Sequence, residues 1–391
     1  MNPTPFAGGR RVVWSSAAVA VVGLGLTALG GRADPRQALF SYLVAFVDWL
    51  GTALGALVLL GALHASRARW PVVLRRFLET VPLTLPLFAA LFVPIALGLR
   101  DLYPWVDPRG AELIRRVAHL RPYLNVPAFL ARAGLYFAIW IAVAELLRRW
   151  SVAQDRSGAL ALTLRQRRLG AASLPLLALS LSFAAFDWMM SLDPRFHSTI
   201  FGVYWFAGSF LAAFAVLAIA AAVTRRSPGQ FGHALNADHT HALGKFVLAF
   251  TAFWAYIAFS QFMLIWIANL PDEVPWYLVR AGGGWRAVGI GLAVGHFLVP
   301  FFVLLSRDLK RDPRRLARVA GWLLVAHWVD VWWVIMPRLH PGGPRPSWMD
   351  LTAFVGVGAA ALAVLVLRMR GAAPIPVRDP YLEESLRYQP R

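Results

Sequence analysis

The sequence contains no cysteine, only two lysines, and about half as many acidic as basic residues. Without cysteine, the chain cannot form a disulfide, use a thiol nucleophile or hold an iron–sulfur cluster through thiolates. It also lacks the CxxCH motif that attaches haem covalently. Charged residues make up only 15% of the 391 residues, whereas a soluble domain usually carries about 25%. The chain is therefore not expected to be a soluble enzyme.

Hydrophobic residues dominate instead, at 58% of the chain with a mean hydropathy of +0.56. The net charge of +19 would ordinarily suggest a nucleic-acid partner. Here the arginines cluster between apolar runs, which is typical of membrane topology, so the lipid membrane is the expected partner and nucleic acid is not.

Ten apolar runs are long enough to cross a membrane, which takes about 20 residues each. Because backbone polar groups in lipid must be bonded internally, and the alternating polarity of barrel strands is absent, these runs are predicted to be helices. The predicted fold is an all-α polytopic membrane protein. The runs are 12–30, 38–63, 81–99, 127–147, 171–190, 198–223, 242–268, 286–305, 319–336 and 351–369.

The ten helices are predicted to form a single integral membrane domain over 1–391. A weak internal repeat favours two four-helix bundles, because "VDWLG", "FDWMMSLDP" and "HWVDVWW" each place an aspartate within two residues of a tryptophan. The prediction comprises a flanking helix, two bundles, a second flanking helix and a tail. Their ranges are 12–30, 38–190, 198–336, 351–369 and 370–391.

The distribution of basic residues predicts the orientation. One side of the predicted topology, which holds both termini, collects roughly twice as many lysines and arginines as the other. Both termini, including the tail, are therefore expected in the cytoplasm. The turn "SLDPRFHST" then lies at the outer surface.

Several ionisable or amide side chains fall inside the predicted helices, where a charge costs at least about 2.5–3.5 kcal/mol. Such groups usually face the bundle interior and serve a function. The candidates for a proton pathway are Asp48, Asp187, Lys245, Gln261, His296, His327 and Asp330.

His327 and Asp330 are three residues apart and share a helix face. An imidazole beside a carboxylate can relay protons near neutral pH, so the pair could serve a proton relay or contact a quinone head. The structural alternative is a buried polar pair that fixes the ninth helix. Lys245 has two readings as well: a side chain that reaches the membrane surface, or a proton-carrying amine.

Other polar side chains carry weaker expectations. Arg132 would suit pairing with Asp187, and Glu145 could face interfacial water. His296 precedes Pro300, where the helix could bend. His296 and His327 could in principle be the axial ligands of a haem, the less favoured reading. The loop pair His239 and His241 is too few ligands for a specific metal site.

The turn after the fifth helix carries charges and aromatic residues together. One reading is a rigid outer turn with an interfacial aromatic belt, to which Trp188 and Phe196 contribute. The other is a docking surface for a periplasmic partner, a quinone contact or the rim of an outward proton exit. The candidate contacts are Arg132, Asp187, Trp188 and Asp193.

Three segments together resemble the membrane subunits of the NrfD/polysulfide-reductase family, in particular the F subunits of bacterial alternative complex III. They are "FDWMMSLDPRFHSTIFGVYWFAG", "KFVLAFTAFWAYIAFSQFMLIWIANLPDEVPWY" and "HWVDVWWVIMP". The resemblance runs from about the second to the ninth helix. It implies two four-helix bundles with two flanking helices in a bacterial inner membrane, and a polar pathway through Asp187, Lys245, Gln261, His327 and Asp330.

The resemblance also implies a homologous membrane subunit, a periplasmic iron–sulfur protein and c-type cytochromes as partners, which would hold the clusters and haem c. This chain is expected to bind no cofactor covalently and no metal, with quinone or quinol as its one candidate ligand. Its expected role is to support proton translocation in a quinol:cytochrome c oxidoreductase, or one with another periplasmic acceptor, without catalytic residues of its own. The alternatives are a quinol-oxidising anchor, which needs a pocket near the outer face, and an independent ion or solute transporter, whose mark would be matching helix interruptions.

Overall fold

The structure is a computed structural model that describes residues 6–109, 111–225 and 234–389, so the last two residues of the predicted tail lie outside the described chain. The described residues form helices and turns and no strands. Among them, ten helices are long and apolar enough to cross a membrane. The predicted all-α polytopic fold is therefore confirmed.

We number these helices α1 to α10. They span Arg10–Gly30, Pro35–Ala65, Val72–Leu97, Val126–Ser157, Leu160–Leu192, Phe201–Thr224, Ala237–Ala268, Trp285–Leu305, Pro313–Arg338 and Trp348–Met369. Shorter helices include Ala111–Leu120, Val274–Ala281, Arg307–Arg311 and Leu382–Leu386. Phe6 exchanges backbone hydrogen bonds with residues 371 and 372, so the described segments before α1 and after α10 lie at one face. We call this the terminal face and the other the distal face.

Several helices begin earlier than their apolar runs. α5 begins at residue 160 rather than 171, and α9 at 313 rather than 319. Asp312 caps α9 by accepting hydrogen bonds from the backbone N–H groups of Arg314 and Arg315. Arginine is a good helix former, so these helices continue through polar turns that hydropathy alone does not count.

The helices α2 and α6 form the centre of the molecule, and both are buried along most of their length. α2 packs against α5, α6 and α10, whereas α6 packs against α7 and α9. α1 and α10 pack on each other at the edge. α2 and α6 approach closely because Gly55 has no side chain at their contact. A Cβ atom at that position would lie 2.4 Å from the carbonyl oxygen of Ser209.

Two of the ten described helices are interrupted well inside their length. α3 contains a 3-10 turn at Val81–Thr84, in a stretch that holds three prolines. α8 contains a π-helical segment at Ala293–Leu298, which ends two residues before Pro300. Proline has no N–H to donate, and the nearby carbonyl of Gly295 accepts a hydrogen bond from Trp322 Nε1 at 2.6 Å instead. The expected irregularity beside His296 is therefore present.

Candidate functional site

Six polar or aromatic side chains from five helices meet in the interior, and we call them the central cluster. They are Asp48 of α2, Tyr204 of α6, Trp254 of α7, His296 of α8, and His327 and Asp330 of α9. All six are buried. Four of them were candidates from the sequence, and the fold brings these four together.

Asp330 accepts two hydrogen bonds, both from neutral donors. The hydroxyl of Tyr204 donates to Oδ1, and Trp254 Nε1 donates to Oδ2 at 3.0 Å. The residue is only 3% exposed. Within the described chain, no lysine, arginine or histidine forms an ion pair with it. A buried carboxyl group thus lies in the membrane interior without a compensating cation. Such an arrangement costs free energy and usually marks a functional site.

His327 is directed to a different carboxylate from the one expected. Its Nε2 lies 3.9 Å from Oδ1 of Asp48 on α2, too far for a direct hydrogen bond. His327 and Asp330 therefore form no direct hydrogen bond with each other. The reason is packing: the two residues share the inward side of α9, but Tyr204 and Trp254 occupy the carboxylate of Asp330.

His296 packs on Trp254, with 3.9 Å between the ring centroids, and its ring lies 6.3 Å from that of His327. Neither imidazole has a hydrogen-bond partner on either nitrogen among the residues that the structure describes, and Oδ1 of Asp48 also has none. Buried groups of this kind are ordinarily satisfied, by protein or by water. The cluster therefore has unused capacity to bind water and protons.

The cavity beside this cluster is small. It measures about 10 Å³ and is lined by His327, Asp330 and Tyr204, among others. That volume holds about one water molecule. A single water there can bridge the imidazole and the carboxylate that do not bond directly. A porphyrin is far larger, so the two histidines do not fit the haem reading.

A much larger cavity of about 710 Å³ lies between α7, α8 and the helix Val274–Ala281. Asp330 and Tyr204 line it, together with Gln261 and many aromatic side chains. Its volume is within the usual range of small-molecule sites. Asp330 thus belongs both to the central cluster and to the wall of a cavity.

Gln261 is buried in the wall of this cavity. Its Nε2 donates to the hydroxyl of Tyr277 at 3.4 Å, and its Oε1 has no partner among the described residues. Gln261 lies seven residues after Trp254, about two helical turns, on the same side of α7. The sequence-predicted glutamine therefore faces the interior but does not bond to the central cluster.

Arg280, which the sequence analysis did not single out, is a buried cation at the same cavity. Its guanidinium donates to the carbonyls of Trp276 at 2.8 Å, Trp333 at 3.3 Å and Val334 at 2.5 Å. Among the described residues no carboxylate forms an ion pair with it, and burial lowers the pKa of Arg280 to about 9. The sequence does not indicate that Arg280 is buried, because its short helix lies in the segment between the seventh and eighth apolar runs.

Asp187 lies in a different environment. Arg132 holds it with two hydrogen bonds, Nε to Oδ2 at 2.9 Å and Nη2 to Oδ1 at 2.7 Å, and the Tyr136 hydroxyl donates to Oδ2 at 2.9 Å. The expected pairing of Arg132 with Asp187 is therefore confirmed. The carboxylate is fully neutralised, which favours a structural role.

Trp188 and Phe196 lie at the turn between α5 and α6 on the distal face, which we call the distal turn. Both side chains face inward, so their reading as an interfacial belt or outer contact is wrong. Trp188 is 1% exposed and packs against Phe46 and Phe137. Phe196 is buried and stacks on Trp276 with 4.7 Å between centroids. These rings pack at the distal end of the helices, where burial of their large apolar surfaces stabilises the fold. Asp193 is half-buried, and its Oδ1 accepts from the backbone N–H of Arg195 at 3.2 Å.

Lys245 lies outside the interior, and its inclusion in an internal pathway is wrong. The side chain is exposed on α7. Lys245 and Trp254 are nine residues apart, which places them about 180° from each other around the helix. The reading of a side chain directed to the membrane surface is the one that fits. Glu145 is also peripheral, since it pairs with Arg368 of α10.

The pair His239 and His241 has a structural explanation. His239 is buried and forms a capping box with Asn236 at the start of α7. No group of three or more potential ligands for a metal ion is present in the part of the chain that the structure describes.

One polar network at the terminal face was missed. Glu79 accepts hydrogen bonds from Arg75 at 3.2 Å, Arg76 at 3.2 Å, Arg148 at 3.3 Å and Ser151 at 2.7 Å. Arg75 also pairs with Asp379 of the C-terminal segment at 2.6 Å, and Arg76 with Asp155. The sequence signal for it is the spacing of three and four residues before Glu79 within "RRFLET", a segment that lies between the second and third apolar runs.

Comparison with models of known protein families found no match, and comparison with curated proteins found none either.

Proposed function

We propose that the chain is a membrane subunit of a respiratory quinol:cytochrome c oxidoreductase, or of one with another periplasmic acceptor, and that its central cluster transfers protons. The observation that carries this proposal is the environment of Asp330. Its carboxyl group is buried in the membrane interior, bonded only by neutral donors, and lies beside two histidines whose ring nitrogens have no protein partner among the described residues.

Carboxyl and imidazole groups are the side chains that most often exchange protons in proteins. Asp48, His327 and Asp330 lie close enough for single water molecules to connect them, because the gap from His327 to Asp48 is 3.9 Å and a one-water cavity separates His327 from Asp330. A proton can therefore pass between α2 and α9 by short steps. The unbonded nitrogens leave the imidazoles free to accept it.

The remaining part of the proposal concerns partners. The three motifs that resemble alternative complex III support a homologous membrane subunit, a periplasmic iron–sulfur protein and c-type cytochromes next to this chain. These partners would carry the iron–sulfur clusters and haem c, since this chain has no cysteine to ligate either. An inner-membrane location with both termini in the cytoplasm belongs to the same proposal and agrees with the excess of basic residues at the terminal face.

The test is purification of the chain from its native membrane in mild detergent, followed by measurement of haem c, iron–sulfur signals and quinol-driven cytochrome c reduction. In reconstituted vesicles, Asp330→Asn is expected to reduce proton translocation by about 100-fold, the usual range for loss of a proton-transfer group. Lys245→Met is the matched control, because that residue lies on the outer surface of α7 and should leave translocation unchanged.

Two results would contradict the proposal. One is a chain that purifies alone, without redox centres or activity, which would favour a transporter. The other is normal proton translocation in Asp330→Asn with an assembled complex. Among the described residues, the breaks inside α3 and α8 fall at different positions of the two predicted bundles, so they are not the matching pair that would favour a transporter.

A second candidate function is quinol binding in the large cavity. The cavity has aromatic walls for a ring and an isoprenoid tail, while the carboxyl group of Asp330 and Oε1 of Gln261 can accept hydrogen bonds from quinol hydroxyls. Ala258 lines this cavity. Ala258→Trp would fill it and is expected to abolish quinol oxidation, whereas Met263→Trp, outside the cavity lining, should not. Unchanged oxidation in Ala258→Trp would remove this candidate.

A further inference from the structure

A second sizeable cavity lies beside the large one, at the distal turn between α5 and α6. It measures about 390 Å³, and its lining includes His197, Ser198, Gln261 and Glu273. Gln261 and Ile265 line both this cavity and the large one. The two spaces therefore adjoin each other at these two side chains of α7.

The outer end of the second cavity carries a pair of ionisable groups. His197 Nε2 lies 3.6 Å from Oε1 of Glu273, and the side chain of His197 is 67% exposed whereas that of Glu273 is 15% exposed. The pair thus joins the surface to the cavity. Imidazole and carboxyl groups both exchange protons readily with water.

Asp330 lies at the inner end of the two adjoining cavities, in the wall of the large one. The amide of Gln261 stands between the two ends. Its Nε2 donates to Tyr277, and its buried Oε1 has no partner among the described residues. An unsatisfied acceptor at a cavity wall is ordinarily bonded to water. The amide has no proton to exchange near neutral pH, so it can order water but cannot itself carry the proton.

We propose that the two cavities form a hydrated path from Asp330 to the distal face, with Gln261 as a positioning residue between them and His197–Glu273 as the proton-exchanging pair at its mouth. A proton leaves the carboxyl oxygen of Asp330 for a water oxygen, passes along water at Gln261, and reaches the imidazole or carboxylate at the mouth before it enters bulk water. That protons move along this path rests on the proposed function, whereas the path itself rests on the geometry of the cavities.

The absence of native cysteine makes the path directly testable, because any introduced thiol is the only one in the chain. In the assembled complex, single variants Ser198→Cys, Gln261→Cys and Ala258→Cys sample the outer cavity, the shared wall and the inner cavity. A charged, membrane-impermeant thiol reagent is added from the distal face. All three are expected to react, since thiols react only where solvent and reagent reach them.

Met263→Cys is the matched control. It lies two residues from Gln261, about 3 Å along the axis of α7 and on another side of that helix. We expect it to react at least about tenfold more slowly than Gln261→Cys, because access controls the rate. Reaction at Ser198→Cys alone, with none at Gln261→Cys and Ala258→Cys, would overturn the hydrated path, as would equal reaction of Met263→Cys.

A functional measurement separates this path from the proton function of the cluster. Gln261→Leu keeps Asp330 intact and is expected to slow proton translocation by about tenfold or more, whereas Gln261→Asn, which retains the amide, should recover part of the rate. Unchanged translocation in Gln261→Leu would overturn the role of the path while Asp330→Asn still tests the cluster. Thiol reaction in an Asp330→Asn background should be unchanged, because that variant removes the proton donor and leaves the cavities in place.

Discussion

Asp187 and Asp330 are two buried aspartates with opposite surroundings. Each lies on the last helix of its predicted bundle and accepts a hydrogen bond from a tyrosine hydroxyl, Tyr136 for Asp187 and Tyr204 for Asp330. The second donor differs: a bidentate guanidinium at Asp187 and the indole of Trp254 at Asp330. One carboxylate is neutralised by a cation and the other is not.

The spaces beside the two residues differ as well. Asp330 lines a one-water cavity and a cavity of about 710 Å³, while Asp187 lines none of the three cavities described above. A carboxylate that is paired and enclosed holds helices together, whereas one that is unpaired and next to space for water can exchange a proton. The same residue type thus serves structure in one bundle and, we propose, function in the other.

The largest expected effect comes from removing the cation at Asp187. Arg132→Met leaves a buried carboxylate without its partner and should lower the free energy of unfolding by about 3–5 kcal/mol. Unfolding in detergent, followed by the loss of helical signal, measures this. The double variant Arg132→Met/Asp187→Asn should recover much of the loss because no charge remains. A loss below about 1 kcal/mol would contradict the structural role of the pair.

Asp330→Asn should have a smaller effect on stability. The amide oxygen still accepts one hydrogen bond, but its NH₂ group faces a donor, so we expect a loss of about 1–2 kcal/mol. The protein should remain folded and assembled while proton translocation is lost. A loss as large as that of Arg132→Met would show that Asp330 has a structural role equal to that of Asp187.

The two tyrosines sharpen the comparison further. Tyr204→Phe leaves Asp330 with Trp254 as its one remaining donor and should cost about 1–1.5 kcal/mol. Tyr136→Phe leaves Asp187 held by Arg132 and should cost about 0.5 kcal/mol. Thermal unfolding of the two variants in one detergent measures the difference. Equal losses would mean that the guanidinium does not compensate for the missing hydroxyl.

The smallest effect is expected at an exposed ion pair. Arg69 Nη1 lies 2.7 Å from Glu384 Oε2, and both side chains are about half exposed. Glu384→Gln should leave the free energy of unfolding nearly unchanged, because solvent screens such pairs. A loss comparable to that of Arg132→Met would mean that the contact between Arg69 and the C-terminal segment fixes the terminal face rather than merely covering it.

The sequence determined the membrane character of the chain and most of the ionisable candidates. Ten apolar runs specify ten helices because a backbone in lipid must satisfy its own hydrogen bonds. Burial of Asp48, His296, His327 and Asp330 also followed, since a polar group inside a span is costly at the lipid surface. The pairing of Asp187 with Arg132 was predictable from their depths alone.

Only the tertiary structure decided which way the remaining side chains point. Hydropathy is an average over a window and carries no information about rotation around a helix axis. Lys245 and Trp254 belong to the same helix, yet one faces outward and the other bonds Asp330. Trp188 looked suited to an interface but fills a bundle.

The contacts between distant segments were likewise beyond the sequence. Glu79 accepts hydrogen bonds from arginines of two helices. Arg280 donates hydrogen bonds to backbone carbonyls near the end of α9. The cavities exist because α7, α8 and the short helix between them do not pack closely. Composition and hydropathy fix which segments enter the membrane, but complementary packing of side chains between helices fixes which polar groups meet there.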